Sequence, residues 1–299
     1  MVRREPGQVQ VAGRAQGAVL GHPIAHSKSP ALHAAAYRQL GLDFSYTTQD
    51  LKPEELDDFI RKVRTDGNWF GLSVTMPLKT TIVPLLDALE GAAAMLGVVN
   101  TVVTGDVQLV GYNTDVAGIV NALRYAGVRE QPKAAILGGG GTAVAAVAAL
   151  KDLGAPGADV FVRDAGRSSA AAQTAAIVGL AHQMRPWTEA AGNVGGYDVV
   201  ISTLPPHAAD ALAADLVPGD TIGGLLLDVA YDPWPSALAA AWEERGGTIV
   251  PGLEMLLYQA VEQVRLFTSG ALSCDGDPAR VDSPDVINAM CDAVGLPRR

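Results

Sequence analysis

Hydrophobic and polar positions alternate along the first part of the chain in short runs that predict strands separated by helices. Apolar runs at Ala18–Leu20, Phe44–Thr48 and Gly71–Thr75 have the length and residue types of strands. Between them, Pro30–Leu40 and Pro53–Arg64 show helical spacing of apolar residues. Strands that alternate with helices are typical of α/β folds. The first third of the chain therefore predicts an α/β unit.

The pattern changes in the middle of the chain. Val99–Val103 and Gln108–Tyr112 read as extended segments around Gly105 and Asp106, residues typical of a hairpin turn. Apolar runs separated by helices then predict a parallel, doubly wound sheet of five strands. These runs are Ala134–Leu137, Asp159–Val162, Tyr197–Ser202, Leu225–Val229 and Thr248–Val250.

This order along the chain predicts two α/β domains. We expect an N-terminal substrate domain, made of residues 18–112 and 253–299, and a Rossmann-type dinucleotide-binding domain, made of residues 113–252. A helix from about Gly252 to Thr268 has no strand after it, so we expect it to return and pack on the first domain. Val286–Val294 predicts a short final helix. Residues 1–17 are predicted to be a disordered extension.

Composition and charge narrow the class of protein. A chain of 299 residues with 48% hydrophobic residues is long enough for two folded domains. Its net charge of −10 opposes binding to nucleic acid or to an anionic membrane, since either requires a basic face. The chain has neither an apolar run of membrane-spanning length nor the apolar stretch of a signal peptide. We expect a small-molecule partner and leave open whether the protein is a monomer or a homodimer.

The two cysteines, Cys274 and Cys291, lack metal-ligand spacing. They are typical of reduced thiols in a cytoplasmic protein. The sequence therefore predicts a cytoplasmic location and no metal site.

The segment GHPIAHSKSPALH, which starts at Gly21, contains a candidate anion site. Ser27 and Ser29 stand immediately before Pro30, a residue suited to the first turn of a helix. Free N–H groups at a helix start, together with small hydroxyls, suit a carboxylate. The alternative is that the two serines only cap the helix.

Four consecutive glycines follow the first strand of the second half and precede a helix, Thr142–Leu153. A glycine turn between a strand and a helix brings backbone N–H groups to the pyrophosphate of a dinucleotide. The alternative is a tight turn without a ligand. The candidate cofactor-binding residues here are Gly138, Gly139, Gly140, Gly141, Thr142 and Ala143.

The residues after the second strand of this half select between NADP and NAD. Two guanidinium groups, those of Arg163 and Arg167, suit the 2′-phosphate of NADP. The carboxylate of Asp164 between them would repel that phosphate and favour the plain ribose of NAD. Because the arginines outnumber the acid, we predict NADP and keep NAD as the alternative.

A lysine and an aspartate form the candidate catalytic pair. The run GLSVTMPLK breaks at Pro77 and places Lys79 just beyond a strand end, and GYNTD places Asp115 at the predicted domain junction. Together they can move the proton of a substrate hydroxyl while a nicotinamide takes the hydride. Either residue alone is also explained as a solvated surface charge.

These motifs resemble those of the shikimate dehydrogenase family, in the family's order and approximate spacing, from Ala18 to about Thr268. The resemblance implies NADPH-dependent reduction of 3-dehydroshikimate to shikimate, in chorismate and aromatic amino acid biosynthesis. It rests on GHPIAHSKSPALH, GLSVTMPLK, GVVNT, GYNTD, GGGGTA, DVAYDPWPS and GLEMLLYQ.

The resemblance also implies roles for individual residues. Ser27 and Ser29 would bind the substrate carboxylate, and Lys79 and Asp115 would be the catalytic pair. Thr75 would assist from the strand end. The residues that would hold the ring hydroxyls are Lys79, Asn100, Asp115 and Gln259. Tyr231 and Gly252 would lie where the cofactor domain meets the substrate, and Thr203 on the cofactor side.

Four positions depart from the family's pattern. Ser73 stands in place of a usual Asn, Ala34 where Asn often follows the His, Val98 in place of a usual Ala, and Asp164 in place of a hydroxyl residue. Asp164 keeps open an NAD-linked quinate/shikimate dehydrogenase. A noncatalytic sensor of the same fold is the other alternative. The intact Lys79 and Asp115 count against a sensor, because a binder needs no proton-transfer pair.

Overall fold

Two six-stranded sheets organise the chain. The computed structural model describes residues 15–105, 108–164, 166, 169–216, 221–275 and 278–299. The strands are β1 (Ala15–Gly21), β2 (Phe44–Asp50), β3 (Trp69–Val74), β4 (Ala88–Leu89), β5 (Thr101–Thr104), β6 (Leu109–Tyr112), β7 (Ala134–Leu137), β8 (Gly157–Val162), β9 (Ala181–Pro186), β10 (Val199–Ser202), β11 (Leu225–Asp228) and β12 (Thr248–Pro251). The α-helices are α1 (Ser29–Leu40), α2 (Leu56–Thr65), α3 (Ala92–Leu96), α4 (Asp115–Tyr125), α5 (Gly141–Asp152), α6 (Ser169–Val178), α7 (Asp210–Asp215), α8 (Ala237–Glu244), α9 (Gly252–Asp275) and α10 (Pro284–Val294).

The first sheet has the strand order β2-β1-β3-β5-β6-β4. Strand β1 pairs in parallel with β2 and β3, whereas β5 runs antiparallel to β3 and to β6. Ser73 pairs with Thr101, which pairs in turn with Tyr112. The segments that follow β1, β3 and β6 therefore lie at the same edge of the sheet as the segment that precedes β5.

The second sheet is parallel throughout, with the order β12-β11-β10-β7-β8-β9. This is a doubly wound order. Successive strands are added in one direction from β7 to β9 and in the opposite direction from β10 to β12, and such sheets bind ligands at the point between β7 and β10 where the order switches. The predicted fold class, two α/β units of which the second is Rossmann-like, is confirmed.

The prediction of five strands in this sheet was wrong, because β9 is a sixth. Its sequence, AHQMRP, is mostly polar, and the strand lies at the sheet edge with an exposed or half-exposed surface. A strand that buries so little has no apolar periodicity by which the sequence reveals it.

The prediction that residues 1–17 form a disordered extension was wrong for the last three of these residues. Ala15–Gly17 belong to β1 and pair with Phe44–Tyr46, and residues 1–14 lie outside the described residues. Gly17 has a packing reason, because a Cβ there would come within 2.4 Å of the Phe70 ring. The strand therefore begins earlier than its apolar residues indicate, because backbone pairing with β2 and the close packing of Gly17 on Phe70 stabilise its first residues.

The predicted hairpin is confirmed, since β5 and β6 pair antiparallel and the Gly105 N–H donates to the Gln108 carbonyl at 2.8 Å. Asp106 lies outside the described residues. The long C-terminal helix α9 ends at Asp275 rather than Thr268, and α10 begins at Pro284 rather than Val286.

Helix α9 returns to the first sheet, as predicted. Its buried residues Leu257, Val264 and Phe267 share an apolar core with residues of α1 and α10. Phe267 lies directly on β3, where a Cβ on Gly71 would be 2.3 Å from its ring. The start of α9 packs on α4 as well. One helix thus contacts both the first sheet and the chain that leads to the second.

Candidate active site

The edge of the first sheet brings together residues from three separate segments. Lys79 follows β3, and its carbonyl accepts a hydrogen bond from the Val99 N–H at 2.9 Å. Asn100 immediately precedes β5, and Asp115 is the first residue of α4, three residues after β6. The strand register therefore places a lysine, an amide and a carboxylate side by side.

Lys79 and Asp115 form a largely buried ion pair. The Lys79 Nζ lies 2.5 Å from Asp115 Oδ2, and the two side chains are 15% and 6% exposed. The Asp115 backbone N–H donates to Asn113 Oδ1 at 3.0 Å, and its carboxylate lies at the N-terminus of α4, where a negative charge is favourable. In the described part of the chain Asp115 is the one hydrogen-bond acceptor found for the Lys79 ammonium, which leaves two N–H donors for a ligand.

Asn100 holds the other oxygen of the carboxylate. Its Nδ2 donates to Asp115 Oδ1 at 2.8 Å, and its Oδ1 accepts from the Thr114 N–H and the Thr101 hydroxyl, both at 2.8 Å. Gln259 Oε1 lies 3.5 Å from the same Nδ2, while Gln259 Nε2 donates to the Leu256 carbonyl. Backbone and hydroxyl donors thus fix which end of the Asn100 amide faces the carboxylate.

The candidate anion site lies at the start of α1. Pro30 occupies the first turn, and no side chain caps the helix from the N-cap position, Lys28. The Ser27 hydroxyl accepts from the Ser29 N–H at 3.3 Å, which is a capping contact, whereas Ser29 is buried and its hydroxyl has no hydrogen-bond partner among the described residues. The arrangement suits a carboxylate but includes the capping contact that the sequence left as an alternative.

The loop after β11 reaches this same segment. Tyr231 lies against the Lys28 backbone, and burial is the main cause that raises the pKa of its hydroxyl. The neighbouring residue, Asp232, has its Oδ2 3.8 Å from His26 Nδ1. Residues of the second sheet's loops therefore contact the loop before α1, beside the two serines.

Thr75 and Gly252 lie where the backbone is close to a neighbouring strand or loop. The Thr75 N–H donates to the Leu20 carbonyl at 2.8 Å, which joins the ends of β1 and β3. Gly252 begins α9, and a Cβ on it would be 2.3 Å from the Val229 carbonyl oxygen. Gly252 thus lets α9 start directly against the loop that carries Tyr231.

The glycine turn lies at the switch point of the second sheet. Gly138 has φ +104°, and a Cβ on it would be 2.7 Å from the Thr203 hydroxyl, which donates to the Leu137 carbonyl at 3.0 Å. Helix α5 begins at Gly141 with Gly140 as its N-cap, and no side chain caps its first turn. A Cβ on Gly140 would meet nothing within 4 Å, so the helix start faces open space. These residues fit the pyrophosphate of a dinucleotide.

Beyond β8, the two described cofactor-selecting residues are exposed. Asp164 Oδ1 accepts from the Gly166 N–H at 2.9 Å, so the carboxylate is engaged in its own loop. Arg163 follows β8 directly, at the strand end next to the glycine turn, and Arg167 lies outside the described residues. This position suits contact with the ribose end of a dinucleotide.

The sequence reasoning missed Gln263, which the structure places against the network. It lies on α9 one turn after Gln259 and contacts both Asn100 and Thr101. A second amide at i+4 on a buried helix face is the signal that was available.

The described ranges contain no group of three or more His, Cys, Asp or Glu side chains placed to hold a metal ion. Nor does any helix within them combine the length and apolar character needed to cross a membrane.

Comparison with known proteins finds shikimate dehydrogenases both among the relatives and among the solved structures. Residues 19–102 match the family model of the shikimate dehydrogenase substrate binding domain. A shikimate dehydrogenase (NADP(+)) of Rubrobacter xylanophilus is 37% identical over 274 residues, which cover 89% of this chain and 93% of that protein. The crystal structure of Mycobacterium tuberculosis shikimate dehydrogenase has a TM-score of 0.79 at 36% identity, over 94% of this chain and 99% of that chain. A shikimate 5-dehydrogenase of Thermus thermophilus, in complex with NADP(H) and shikimate, has a TM-score of 0.75 at 31% identity, over 93% and 99% of the two chains.

Proposed function

Because the chain belongs to the shikimate dehydrogenase family, we propose that it catalyses the NADP-dependent reduction of 3-dehydroshikimate to shikimate and the reverse oxidation. The observation that carries the proposal is the Lys79–Asp115 pair, with 2.5 Å between Nζ and Oδ2. This pair lies at a sheet edge that also carries hydroxyl and amide groups, the partners that a small polyhydroxylated acid requires.

The substrate carboxylate binds at the start of α1. Ser27 and Ser29 supply hydroxyls there, and the uncapped N–H groups of the helix supply further donors. Tyr231, which lies against the Lys28 backbone, closes the site from the side of the second sheet. A carboxylate held in this way directs the ring toward the ends of β3 and β6.

The ring hydroxyls meet the amide and charged groups of the network. Lys79, Asn100, Asp115 and Gln259 lie within one hydrogen-bonded group, and Thr75 follows the same strand that leads to Lys79. The carboxylate of Asp115 accepts from a hydroxyl, whereas the Lys79 ammonium donates. Together these groups fix the ring by both kinds of hydrogen bond.

Lys79 transfers the proton to and from the substrate oxygen. When bound, the nicotinamide cofactor supplies the hydride for reduction or accepts it in oxidation. In reduction the Lys79 ammonium gives its proton to the carbonyl oxygen, and in oxidation the neutral amine takes the proton from the hydroxyl. Asp115 orients the Lys79 Nζ and offsets its charge while it is protonated.

The domain of residues 113–252 holds the cofactor. Gly138, Gly139, Gly140, Gly141, Thr142 and Ala143 form the pyrophosphate turn. Thr203 lies against Gly138 of this turn, and Gly252 lies against the Val229 backbone, on the loop that leads to Tyr231. Arg163 and Arg167 hold the 2′-phosphate, and the hydrogen bond from the Gly166 N–H engages the Asp164 carboxylate within its own loop. Residues 18–112 and 253–299 form the substrate domain.

The proposed activity serves chorismate and aromatic amino acid biosynthesis in the cytoplasm, with the enzyme as a monomer or a homodimer. Sedimentation equilibrium on the purified chain distinguishes these two states.

The first test is the initial rate of shikimate oxidation, followed as reduced nicotinamide appears, with NADP and NAD in parallel and quinate as the comparison substrate. A shikimate rate that is higher with NADP supports the proposal. Comparable quinate turnover with NAD favours the NAD-linked quinate/shikimate dehydrogenase instead. Shikimate binding without turnover supports the noncatalytic sensor and overturns the enzymatic proposal.

A further inference from the structure

We propose that Gln263 is a positioning residue of the active site, which acts through Asn100 on the Lys79–Asp115 pair. This inference rests on the function proposed above and extends it to a residue outside the substrate contacts. Gln263 lies on α9 and is 1% exposed, so its amide must find all its hydrogen-bond partners within the protein.

The oxygen end of the Gln263 amide accepts from two side chains. Ser73 Oγ donates to Gln263 Oε1 at 2.7 Å, and His33 Nε2 lies 3.2 Å from the same oxygen. The Tyr46 hydroxyl donates to Ser73 Oγ, which leaves the Ser73 hydrogen for Gln263. Both neighbours therefore require an oxygen, and not an NH₂ group, at this end of the amide.

His33 strengthens this assignment. Burial lowers its pKa to about 3, so the ring is neutral at neutral pH and carries a single N–H. The Tyr37 hydroxyl lies 2.9 Å from Nδ1 and can donate to it, which leaves Nε2 as the N–H that donates to Gln263. The ring also stacks on Tyr46, with centroids 3.9 Å apart, which fixes the plane in which Nε2 points to Gln263.

The nitrogen end of the amide reaches Asn100 by two routes. Gln263 Nε2 donates to the Asn100 carbonyl at 3.2 Å and to Thr101 Oγ1 at 2.9 Å. Thr101 Oγ1, having accepted from Gln263, donates to Asn100 Oδ1 at 2.8 Å. Gln263 thus holds the Asn100 backbone directly and orients its side chain through Thr101.

The chain of donors ends at the catalytic carboxylate. With its oxygen held by Thr101, Asn100 presents Nδ2 to Asp115 Oδ1 at 2.8 Å, and Asp115 Oδ2 faces Lys79. Removing Gln263 leaves the Ser73 hydroxyl hydrogen and the His33 Nε2–H without their acceptor. It also takes one donor from Thr101 Oγ1 and from the Asn100 carbonyl, which loosens Asn100. A displacement on the order of 1 Å in such a site lowers the rate without a comparable loss of binding.

The test compares Gln263→Met with Val264→Ala. Methionine has a similar length and removes all the amide's hydrogen bonds, whereas Val264 is the next residue on α9, equally buried, and has no polar side chain. We expect Gln263→Met to lower kcat for shikimate oxidation by about tenfold or more, with a much smaller change in KM. We expect Val264→Ala to lower Tm and leave kcat unchanged. A wild-type kcat in folded Gln263→Met, or an equal loss in Val264→Ala, overturns the proposal.

Gln263→Leu covers the case in which the methionine variant does not fold. Leucine is apolar, so it offers neither an acceptor to Ser73 and His33 nor a donor to Thr101 and the Asn100 carbonyl. We expect the same loss of kcat as in the methionine variant. A wild-type kcat in folded Gln263→Leu overturns the proposal, because the hydrogen bonds of the amide would then be dispensable.

A second readout does not depend on activity, and so separates this inference from the proposed function. The side-chain NH₂ of Asn100, assigned in ¹⁵N spectra by its absence in Asn100→Ala, should exchange slowly in the wild type and in Val264→Ala. It should exchange faster and shift in Gln263→Met. If the wild-type enzyme does not oxidise shikimate, the proposed function fails and this signal alone decides the role of Gln263. An unchanged signal in Gln263→Met rejects that role.

Discussion

At the scale of single residues, Lys79 differs from a surface lysine because its ammonium is mostly buried and paired with a buried carboxylate. Its side chain is mostly buried and its Nζ is 2.5 Å from Asp115, which is itself held by Asn100. Such a group acts in the transition state more than in substrate binding, since binding is shared among several hydrogen-bond partners.

We therefore expect Lys79→Ala to lower kcat for shikimate oxidation by about 10²–10⁴-fold, the range for loss of a general acid or base, with a much smaller change in KM. Steady-state kinetics measure both constants. Lys62→Ala, at an exposed position on α2, is the matched control and should keep the wild-type kcat. An unchanged turnover number in Lys79→Ala would remove Lys79 from the mechanism.

His33 makes the free energy of unfolding depend on pH. The unfolded chain protonates this ring near its ordinary pKa of 6.5, whereas burial lowers the pKa to about 3 in the folded chain. Below pH 6.5 the unfolded state therefore binds a proton that the folded state does not, and the free energy of unfolding falls as the pH falls.

The expected loss from this one group is up to about 1.4 kcal/mol per pH unit between about pH 6 and pH 4. Urea denaturation of the wild type and of His33→Asn across that range isolates it, because other groups titrate in both proteins. The variant should have the shallower slope. Equal slopes would mean that the folded protein protonates His33 as readily as the unfolded chain does.

The sequence predicted the residues that follow strand ends in recognisable motifs, and the structure brings Lys79, Asn100, Asp115 and Gln259 together. Gln263 was not predicted, because its role depends on how α9 lies across β3 and β5. Contacts between residues more than 160 positions apart have no local signal in one sequence.

At the scale of elements, the contact between α4 and α9 is close enough to exclude a methyl group. A Cβ on Gly118 would lie 2.9 Å from Gln259 Cβ and 2.9 Å from the Met255 carbonyl oxygen. Helix α4 begins with Asp115, and α9 carries Gln259, so the spacing of these helices sets the geometry of the site.

Gly118→Ala should therefore reduce the free energy of unfolding by about 2 kcal/mol, as other overpacked contacts do, and should lower kcat as well. Thermal denaturation and initial rates measure the two effects. Gly192→Ala is the control, because a Cβ there meets nothing within 4 Å. If the two variants lose the same stability and the same kcat, the close packing of α4 on α9 does not explain the glycine at position 118.

Element prediction succeeded where burial creates a pattern. The strands of the second sheet's interior, such as β7 and β10, are fully buried apolar runs and were predicted from their residues. The edge strand β9 and the first residues of β1 were not, because hydrogen bonds to a neighbouring strand stabilise them without apolar side chains. The neighbouring strand lies elsewhere in the chain, so the residues of β9 and of the start of β1 carry no local signal of this pairing.

At the scale of the whole molecule, Arg299 joins three helices. Its guanidinium pairs with Glu254 at the start of α9 and lies 3.8 Å from the ring centroid of Tyr125 on α4. Its backbone N–H donates to Asn288 Oδ1 of α10 at 2.6 Å. The Arg299 and Glu254 side chains are largely buried, so neither charge is well solvated without the other.

Arg299→Ala should reduce the free energy of unfolding by about 3 kcal/mol, because it leaves the buried carboxylate of Glu254 without a partner and removes the stacking on Tyr125. Urea denaturation measures the change. Arg298→Ala is the matched control, since its ion pair with Asp292 is exposed, and it should have little effect. Similar losses in the two variants would contradict a role for burial at Arg299.

The proposed catalytic pair has one member on each side of the proposed domain boundary, since Lys79 follows β3 of the first sheet and Asp115 opens α4 on the chain that leads to the second. A chimera that exchanged residues 113–252 for those of a relative would import a new carboxylate together with the new cofactor site. In the proposed mechanism, recombination at that boundary therefore cannot change the nucleotide site without also replacing the carboxylate that orients Lys79.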